Sequence, residues 1–367
     1  MTEWKECKLG DVVFFSNGKS RPDTSGYIPI YGGNGILEYT DQSNNDGETI
    51  IIGRVGAYCG SVYYENRPVW VSDNALAAKP KEQYYAKYLY YLLKFSDLNQ
   101  YAEGSSHPLL TQSLLNSIDI VFCDNIDEQK AIAEVLSSLD DKIDLLTRQN
   151  KTLEDLAQAY FRKWFIEDAS DEWEVGKAKD YFEIGIGKTP PRKEEHWFSK
   201  NNNDVVWVSI SDMGKAGMFI GDSSEYLTKD AVKQFNIKRV PKGAIILSFK
   251  LTVGRVAIAL RDFTTNEAIA HFIYRNLYER EYLYFYLKTF DYYSLGSTSS
   301  IATAVNSKII KDMPFVMPDV ETLKKYHKIA APMFSKIESN TNQILTLQKI
   351  RDTLLPKLIS GEIRVKM

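Results

Sequence analysis

Residues 128–165 read EQKAIAEVLSSLDDKIDLLTRQNKTLEDLAQAYFRKWF, and this stretch decides the fold class. It contains no Gly or Pro and is rich in strong helix formers, which predicts one long helix. Apolar residues recur along it at spacings of four and three, which is typical of the a and d positions of a coiled coil. The positions of this seam are Ile132, Leu136, Leu139, Ile143, Leu146, Asn150, Leu153, Ala157, Tyr160 and Trp164.

A second seam of the same kind lies 194 residues further along the chain. Its positions are Tyr326, Ala330, Met333, Ile337, Asn340, Ile344, Leu347, Arg351, Leu354 and Leu358. Pro332 and Pro356 lie within this seam and predict a late start or kink and a broken last turn. The seams together predict two long helices.

The two helices are predicted to pair with each other in antiparallel orientation. Residues 126–168 hold six basic and ten acidic residues, whereas residues 320–367 hold nine basic and four acidic ones. Charge therefore favours pairing between the unlike helices. An alignment in which paired residue numbers sum to 490 places Asn150 beside Asn340 and Leu136 beside Leu354. A homodimeric zipper is the alternative interpretation of the same heptads.

The whole chain is predicted to be two copies of one unit, each a globular portion followed by a helix. The matching segments are Trp4 with Trp173 and Gly18-Lys19 with Gly187-Lys188 at an offset of 169, and Tyr88-Leu89-Tyr90 with Tyr282-Leu283-Tyr284 at an offset of 194. The second copy therefore carries about 25 additional residues. The predicted boundaries are residues 1–125 and 169–319 for the globular portions, and 126–168 and 320–367 for the helical ones.

Each globular portion is predicted to mix strands and helices. The short apolar runs at residues 49–52 and 244–247 are bounded by Gly, Lys and Asp, as buried strands are. Residues 83–95 and 281–290 are rich in Tyr and Leu at helical spacing. The predicted fold class is α+β, with two pseudo-symmetric mixed α/β domains separated by a long intramolecular antiparallel two-helix coiled coil.

Composition excludes several classes of protein. Hydrophobic residues make up 44% and charged residues 25% of the chain, and no apolar run approaches the length of a membrane span. The N-terminus lacks the apolar core of a signal peptide. Cys7, Cys59 and Cys123 are far apart, which disfavours a disulfide framework or a zinc site. A cytoplasmic protein without membrane contact is expected.

The net charge of −3 lacks the basic excess of a protein that binds DNA unaided. If the chain contacts DNA, it therefore does so through a small number of specifically positioned side chains or with the help of a partner protein. Glycine-containing loops after the predicted strands supply such groups, because glycine lets another backbone approach closely and Arg, Lys and hydroxyl side chains suit phosphates and base edges. The candidates are Lys19, Ser20, Arg21, Arg54, Tyr58, Ser105, Ser106 and His107 in the first portion, and Lys188, Thr189, Arg192, Lys250, Thr252, Arg255, Ser297 and Thr298 in the second. Solvated surface loops are the alternative interpretation.

No catalytic or metal site can be assembled from the sequence. The Gly18-Lys19-Ser20 and Gly187-Lys188-Thr189 segments lack the earlier glycine of a phosphate-binding loop, having Val13 and Phe182 there. The four histidines, at positions 107, 196, 271 and 327, have no metal-ligand spacing. Neither a Gly-x-Ser-x-Gly elbow nor a His-Glu-x-x-His motif is present. A binding protein is therefore favoured over an enzyme.

Over its whole length the chain resembles the specificity (S) subunit of Type I restriction–modification systems. The resemblance rests on residues 127–133 (DEQKAIA), which open the first helix, and residues 161–165 (FRKWF), which close it. Residues 354–365 (LLPKLISGEIRV) are its most specific part. Gly18-Lys19, the loop at 53–60 and the tandem arrangement of globular portion and helix agree with it.

The resemblance implies two target-recognition domains that each read one half of a bipartite, asymmetric site in double-stranded DNA, held apart by two central helices. It implies a non-catalytic subunit without a cofactor of its own. Its partners would be two methylation subunits, which bind S-adenosylmethionine and modify adenine, and restriction subunits, which use ATP and magnesium. The second helix opens with residues 321–324 (ETLK) instead of DEQK, so the two methylation-subunit contacts are expected to differ in detail. The alternatives are a self-sufficient DNA methyltransferase or nuclease, and a coiled-coil scaffold without a DNA role.

Overall fold

The structure is a computed structural model that describes residues 4–81, 83–104, 108–295 and 306–365. The chain divides into two compact units, one of residues 1–144 with 345–367 and one of residues 145–344. Each unit mixes strands with short helices and includes part of each of two long helices. The predicted fold class is confirmed.

The first unit is built around a four-stranded antiparallel sheet. In chain order its elements are β1 (Trp4–Lys8), α1 (Leu9–Val12), β2 (Val13–Asn17), β3 (Ile28–Gly32), β4 (Gly35–Thr40), β5 (Thr49–Gly53), β6 (Val62–Glu65), β7 (Trp70–Val71), β8 (Ala75–Pro80), α2 (Ala86–Phe95), α3 (Gln112–Ser117), β9 (Asp119–Cys123) and the long helix α4 (Ile126–Arg162), whose residues after Asp144 belong to the second unit. The main sheet has the order β2–β8–β5–β6, a smaller sheet has the order β4–β3–β7, and β1 pairs with β9.

The central strand β5 has three consecutive buried isoleucines, Ile50–Ile52, because both of its faces are covered. Ile50 and Ile52 pack in one core cluster with Leu89 and Leu92 of α2. Ile51 points to the opposite face and packs in a separate cluster that includes Val71 of β7. A strand buried on both sides has no polar face, which explains the unbroken run of isoleucines.

The second unit repeats this plan with additional elements. After a π-helical turn at Lys163–Glu167, its elements are β10 (Glu174–Lys177), α5 (Ala178–Tyr181), β11 (Glu183–Ile186), β12 (Phe198–Ser199), β13 (Val205–Val208), α6 (Ile210–Lys215), β14 (Phe219–Ile220), β15 (Tyr226–Leu227), α7 (Lys229–Gln234), β16 (Ile245–Ser248), β17 (Val256–Ala259), β18 (Thr264–Thr265), β19 (Ile269–Ile273), α8 (Arg280–Thr289), α9 (Ser307–Asp312), β20 (Pro314–Met317) and the long helix α10 (Val320–Ile359), whose residues from Leu345 belong to the first unit. The main sheet has the order β11–β19–β16–β17–β14, and β10 pairs with β20.

The sequence repeat is visible in the strand register of the two main sheets. In the first unit β8 lies between β2 and β5, and in the second β19 lies between β11 and β16. The facing residues at the ends of these strands are Asn17 with Leu76 and Gly53 with Ala75 in the first unit, and Ile186 with Ala270 and Ser248 with Ile269 in the second. These strand ends superpose at an offset of 169 for β2 and β11, 194 for β8 and β19, and 195 for β5 and β16.

Within the first unit the two long helices run antiparallel. The Arg351 guanidinium binds Asp140 at 2.7 Å, and Arg364, beyond the end of α10, binds Glu128 at the start of α4. Leu136 is fully buried in the core cluster on which Leu354 packs. In these contacts the residue number increases along one segment while it decreases along the other, as the predicted antiparallel direction requires.

Within the second unit the predicted asparagine pair is confirmed. The Asn340 side-chain amide donates to the Asn150 oxygen at 2.9 Å, and the Tyr326 hydroxyl donates to the Ala157 carbonyl at 3.0 Å.

The seam positions of both helices are buried or half-buried, except Tyr160. These include every predicted spacer residue: Leu136, Leu139, Ile143, Leu146, Asn150, Leu153, Met333, Ile337, Asn340, Ile344, Leu347 and Leu354.

Two details of the helix prediction are wrong. Tyr160 is 37% exposed and Phe161 is buried in its place, because a strict heptad drifts by about 20° per repeat around a straight helix. The late start and the broken last turn are also wrong, since helix α10 begins at Val320, well before Pro332, and continues past Pro356 to Ile359. Each proline removes only one backbone donor, and packing of the apolar face holds the helix together around the gap. In the described part of the chain, none of the helices combines the length and apolarity that crossing a membrane requires.

Candidate nucleic-acid interface

In the first unit, predicted site residues converge at one end of the main sheet. Strands β2 and β5 end there and β8 begins there, so the segments that follow or precede them become neighbours. The Gly18 amide donates to the Ala75 carbonyl at 3.1 Å, the Lys19 amide to Val71 at 3.0 Å, and the Arg54 amide to Asn74 at 3.1 Å. We call residues 17–20, 54–58 and 72–74 the first loop edge.

The second unit has the same arrangement. The Lys188 amide donates to the Thr265 carbonyl at 3.0 Å, and the Phe249 amide donates to the Ala268 carbonyl at 2.9 Å. Residues 187–189, 249–254 and 266–267 therefore meet at one end of the sheet, and we call them the second loop edge. Lys188 follows β11 as Lys19 follows β2.

Close backbone contact explains the glycine that precedes each of these lysines. A Cβ atom added to Gly18 would lie 1.8 Å from the Ser72 carbonyl oxygen, and one added to Gly187 would lie 2.1 Å from the Asn266 carbonyl oxygen. Any side chain would force the two segments of the edge apart. The Gly-Lys pair thus fixes where the lysine leaves the sheet.

The side chains of the first loop edge differ in their solvent exposure and in whether they have a bonding partner within the unit. Lys19 and Tyr58 are exposed, and no ion pair is formed by Lys19 among the residues that the structure describes. Arg54 is half-buried and donates to the Asn17 side-chain oxygen at 3.3 Å, while its buried Nε has no partner among the described residues. Arg21, just beyond this edge, forms an exposed ion pair with Glu38 at 2.9 Å. Ser20 is exposed.

At the second loop edge several predicted residues have partners within the unit. The Lys188 ammonium donates to the Phe235 carbonyl at 3.1 Å, and the Thr189 hydroxyl donates to the Glu267 carboxylate. Lys250 and Thr252 are exposed. This edge therefore combines exposed groups with groups that would first have to exchange a partner.

Two arginines of the second unit are committed to its own structure. Arg192 binds Glu225 at 2.7 Å, and its guanidinium lies 4.3 Å from the ring centre of Phe198. Arg255 is half-buried and donates to the Ile210 carbonyl at 2.6 Å. Five further predicted residues lie outside the described residues, namely Ser105, Ser106, His107, Ser297 and Thr298.

The sequence-based prediction missed an acidic residue at each loop edge. Asp73 precedes β8 and Glu267 precedes β19, and both are exposed. The offset of 194 that superposes the two strands also superposes these two carboxylates, so the repeat contained the signal. Carboxylates can accept a hydrogen bond from the amino group of cytosine in the major groove.

Neither loop edge has the chemistry of a metal or catalytic site. His271, next to the second loop edge on β19, is 2% exposed and its Nε2 lies 2.5 Å from the Thr265 hydroxyl. Burial, with a smaller effect of nearby Lys238, lowers the pKa of His271 to about 4, so it is neutral at pH 7. Among the described residues, no group of three or more His, Cys, Asp or Glu side chains is placed to hold a metal ion.

Comparison with known proteins identifies the family of this chain. The profile of the Type I restriction modification DNA specificity domain matches residues 1–155 and again residues 170–350. The chain belongs to this family. The resemblance inferred from the sequence is thereby confirmed, and the two matched ranges follow the internal repeat.

Two relatives that are similar to this chain over nearly all of their length are specificity subunits of Type I restriction enzymes. The chain is 29% identical to the Type I restriction enzyme MjaIX specificity subunit of Methanocaldococcus jannaschii, over 100% of this chain and 90% of that protein. It is 23% identical to the HindI specificity subunit of Haemophilus influenzae, over 99% of this chain and 100% of that protein. The crystal structure of the S subunit from M. genitalium has the same fold, with a TM-score of 0.62 at 19% identity, over 99% of this chain and 96% of that one.

Membership of the family settles the class of function. A specificity subunit of a Type I restriction enzyme is a non-catalytic component, and the prediction that this chain is one is confirmed. A self-sufficient methyltransferase or nuclease, and a scaffold without a DNA role, are both disfavoured.

Proposed function

We propose that this specificity subunit reads a bipartite and asymmetric DNA target, with one half-site bound at each loop edge. The observation that carries the proposal is the shared register of the two main sheets, which places Gly-Lys turns and acidic turns at equivalent strand ends. The same framework thus occurs twice with different side chains. Two different edges should read two different half-sites, and an asymmetric target follows.

Within each edge the side chains divide into backbone-binding and base-reading groups. Lys19, Lys188 and Lys250 are exposed cations and are assigned to phosphates. Arg54, Asp73, Glu267 and Asn17 are assigned to bases, since guanidinium, carboxylate and amide groups match guanine, cytosine and adenine edges. The exposed Arg21–Glu38 pair contributes little to stability and can open for DNA.

Arg255 is left out of the DNA-contacting set because its guanidinium already binds a backbone carbonyl in the unit. Arg192 is assigned a supporting role, in which it orients the segment after Lys188 by stacking on Phe198 and Trp207. Tyr58, Ser20, Thr189 and Thr252 remain proposed contacts to sugar or phosphate. Ser105, Ser106, His107, Ser297 and Thr298, which lie outside the described residues, remain proposed DNA contacts as well.

The catalytic parts of the enzyme are assigned to partner subunits in the cytoplasm. Two methylation subunits would supply S-adenosylmethionine and modify adenine, and restriction subunits would use ATP and magnesium. The chain's net charge of −3 supports this division, because a subunit that clamps DNA alone carries a basic excess. The long helices and the segments that flank them are the proposed docking surface for these partners.

Mapping of methylated adenines in DNA modified by the assembled complex tests the proposal. We expect a motif of two different half-sites with unread base pairs between them. Exchange of residues 1–125 for those of a relative should change one half-site and leave the other unchanged. A continuous or palindromic motif would contradict the proposal, as would a change of both half-sites in the exchanged protein.

A further inference from the structure

One residue of the second loop edge combines two unfavourable features. Leu251 is 93% exposed, and its backbone is left-handed, with a φ of 61°. Leucine rarely adopts this conformation because its Cβ atom crowds the following carbonyl oxygen. Exposure of the side chain gives up the hydrophobic burial that leucine normally contributes. The free protein therefore gains nothing from leucine at this position.

The equivalent loop of the first unit has glycine where the second has Leu251. Gly56 has a φ of 71°, and a Cβ atom added to it would find no other atom within 4 Å. The left-handed φ is thus shared by these two residues, and glycine adopts it without strain. A side chain at this position points into solvent in front of the edge. We therefore infer that Leu251 contacts a molecule that binds to the edge.

The loop around Leu251 is held firmly from both sides. The Ser248 hydroxyl donates to the Thr252 carbonyl at 2.6 Å and accepts from the Arg255 amide at 3.0 Å. Phe249 is fully buried and is tied to the Ala268 carbonyl. A strained residue in a loop that is fixed at both ends is the arrangement found where strain is kept for a function.

The surroundings of Leu251 match a nucleic acid. Lys250 precedes it and is exposed, and the segment with Lys188 lies on the same edge. An apolar tip on the same edge as exposed cations suits a duplex, because the cations meet phosphates while the tip reaches the stacked bases between the two strands.

We propose that Leu251 is an apolar wedge that enters a base step of the half-site read by residues 169–319 and partly unstacks it. The proposal rests on the proposed function of the second loop edge. DNA-bending proteins insert leucine, isoleucine or phenylalanine between base pairs in this way. Pyrimidine–purine steps unstack most easily, so the wedged step should be TA or CA/TG. The first half-site, opposite Gly56, has no such wedge.

The test uses the assembled complex of this chain with its methylation subunits and duplexes that carry the mapped target. The adenine analogue 2-aminopurine is placed at successive positions of each half-site, and its fluorescence reports loss of stacking. We expect the signal to rise at one step of the second half-site with the wild-type complex. Leu251→Gly should abolish this rise and weaken binding of the target by about tenfold to a hundredfold, the size of a mismatched base pair.

Leu277→Ala is the matched control, since Leu277 is also exposed, at 58%, and lies in the same unit away from the edge. It should leave the fluorescence and the affinity unchanged. Leu251→Gly should also fold, because Gly56 has the same conformation, and its free energy of unfolding should be no lower than that of the wild type.

The possible results separate the wedge from the proposed function. If the complex binds and methylates its target but no step shows increased fluorescence, the wedge is wrong while the proposed function stands. If Leu251→Gly loses affinity without a change in stacking, Leu251 contacts a thymine methyl group or a partner subunit, and the wedge is again overturned. If the wild-type complex shows no preference for any target, the proposed function itself fails.

Discussion

Arg364→Ala should destabilise the first unit by an amount that the burial of Glu128 sets. The two residues lie in the segments that carry the family resemblance, 127–133 and 354–365, and their side chains are in direct contact. The Arg364 guanidinium donates from Nε to the Glu128 carboxylate at 2.6 Å and makes a second bond from its Nη2 atom. This contact ties the end of the chain to the start of helix α4.

The magnitude follows from the unequal burial of the two side chains. The Glu128 side chain is 1% exposed, so removal of its partner leaves a carboxylate that water cannot reach. Breaking a buried ion pair in this way costs about 3–5 kcal/mol, and a hydrogen bond to a charged group contributes about 1.5–3 kcal/mol. Because the Arg364 side chain is 48% exposed, we expect the lower range, about 2–3 kcal/mol.

Urea unfolding of the purified chain measures this cost, and hydrogen exchange resolved by peptide assigns it to the first unit, since two units need not unfold together. Lys357→Ala is the control from the same segment. Lys357 binds Glu362 at 3.3 Å with both side chains well exposed, and such pairs contribute at most about 1 kcal/mol. The double variant Glu128→Met/Arg364→Met replaces the pair by apolar side chains of similar length and should stay within about 1 kcal/mol of the wild type. Equal stability of Arg364→Ala and Lys357→Ala would refute the reasoning.

Three further predictions concern the loop edges and the helices. Lys19→Ala or Lys188→Ala should reduce the slope of log affinity against log salt by about one in the assembled complex without changing the methylated motif; an unchanged slope would remove that lysine from the phosphate contacts. His271 stays neutral in the folded chain down to about pH 4, whereas its ordinary pKa is 6.5, so the unfolded state takes up the proton first. As the pH falls from 6.5 to about 4, protonation of this residue in the unfolded state should lower the free energy of unfolding by about 1.4 kcal/mol per pH unit. In urea unfolding measured at several pH values, His271→Asn should remove this contribution to the pH dependence. Asn340→Leu should lower the free energy of unfolding by about 1–2 kcal/mol, because the Asn150 amide loses a partner, and Asn150→Leu/Asn340→Leu should recover it; a double variant as unstable as the single one would mean that the pair is not coupled.

Features with a period could be predicted from the sequence. The heptad seam predicted two antiparallel helices and the pairing of Asn150 with Asn340, because a/d spacing and charge fix which faces meet. The repeat predicted which strands correspond. Prediction failed at Tyr160, where the mismatch between the heptad and the helical period accumulates, and at Pro332, where packing of the apolar face keeps the helix continuous despite a missing backbone donor.

The state of each candidate DNA contact could not be predicted, because it depends on partners that are distant in sequence. Arg54 and Arg255 occupy comparable glycine-containing loops, yet Arg54 lies beside Asn17 at the edge and Arg255 turns to the Ile210 carbonyl. Nothing in the local sequence of either loop specifies that carbonyl. The strain at Leu251 was equally hidden, since only the backbone of the folded loop reveals it.

The position of the additional residues in the second unit explains how one framework can serve two different half-sites. In both units the central strand packs one face against a helix-side core, with Ile50 in the first unit and Ile245 in the second. The opposite face carries Ile51 or Ile246 and is covered by β3 and β7 in one unit and by β13 with its neighbours in the other. Within the additional segment of the second unit, β13 and β15 enter the layer that lies away from the helix-side core, whereas β14 extends the main sheet and places Phe219 in the helix-side core. Because the sheet separates the two cores, that layer can change in length and sequence while the packing of the long helices is preserved, and the loop edge can acquire new base contacts without altering the helices on which the proposed partners dock.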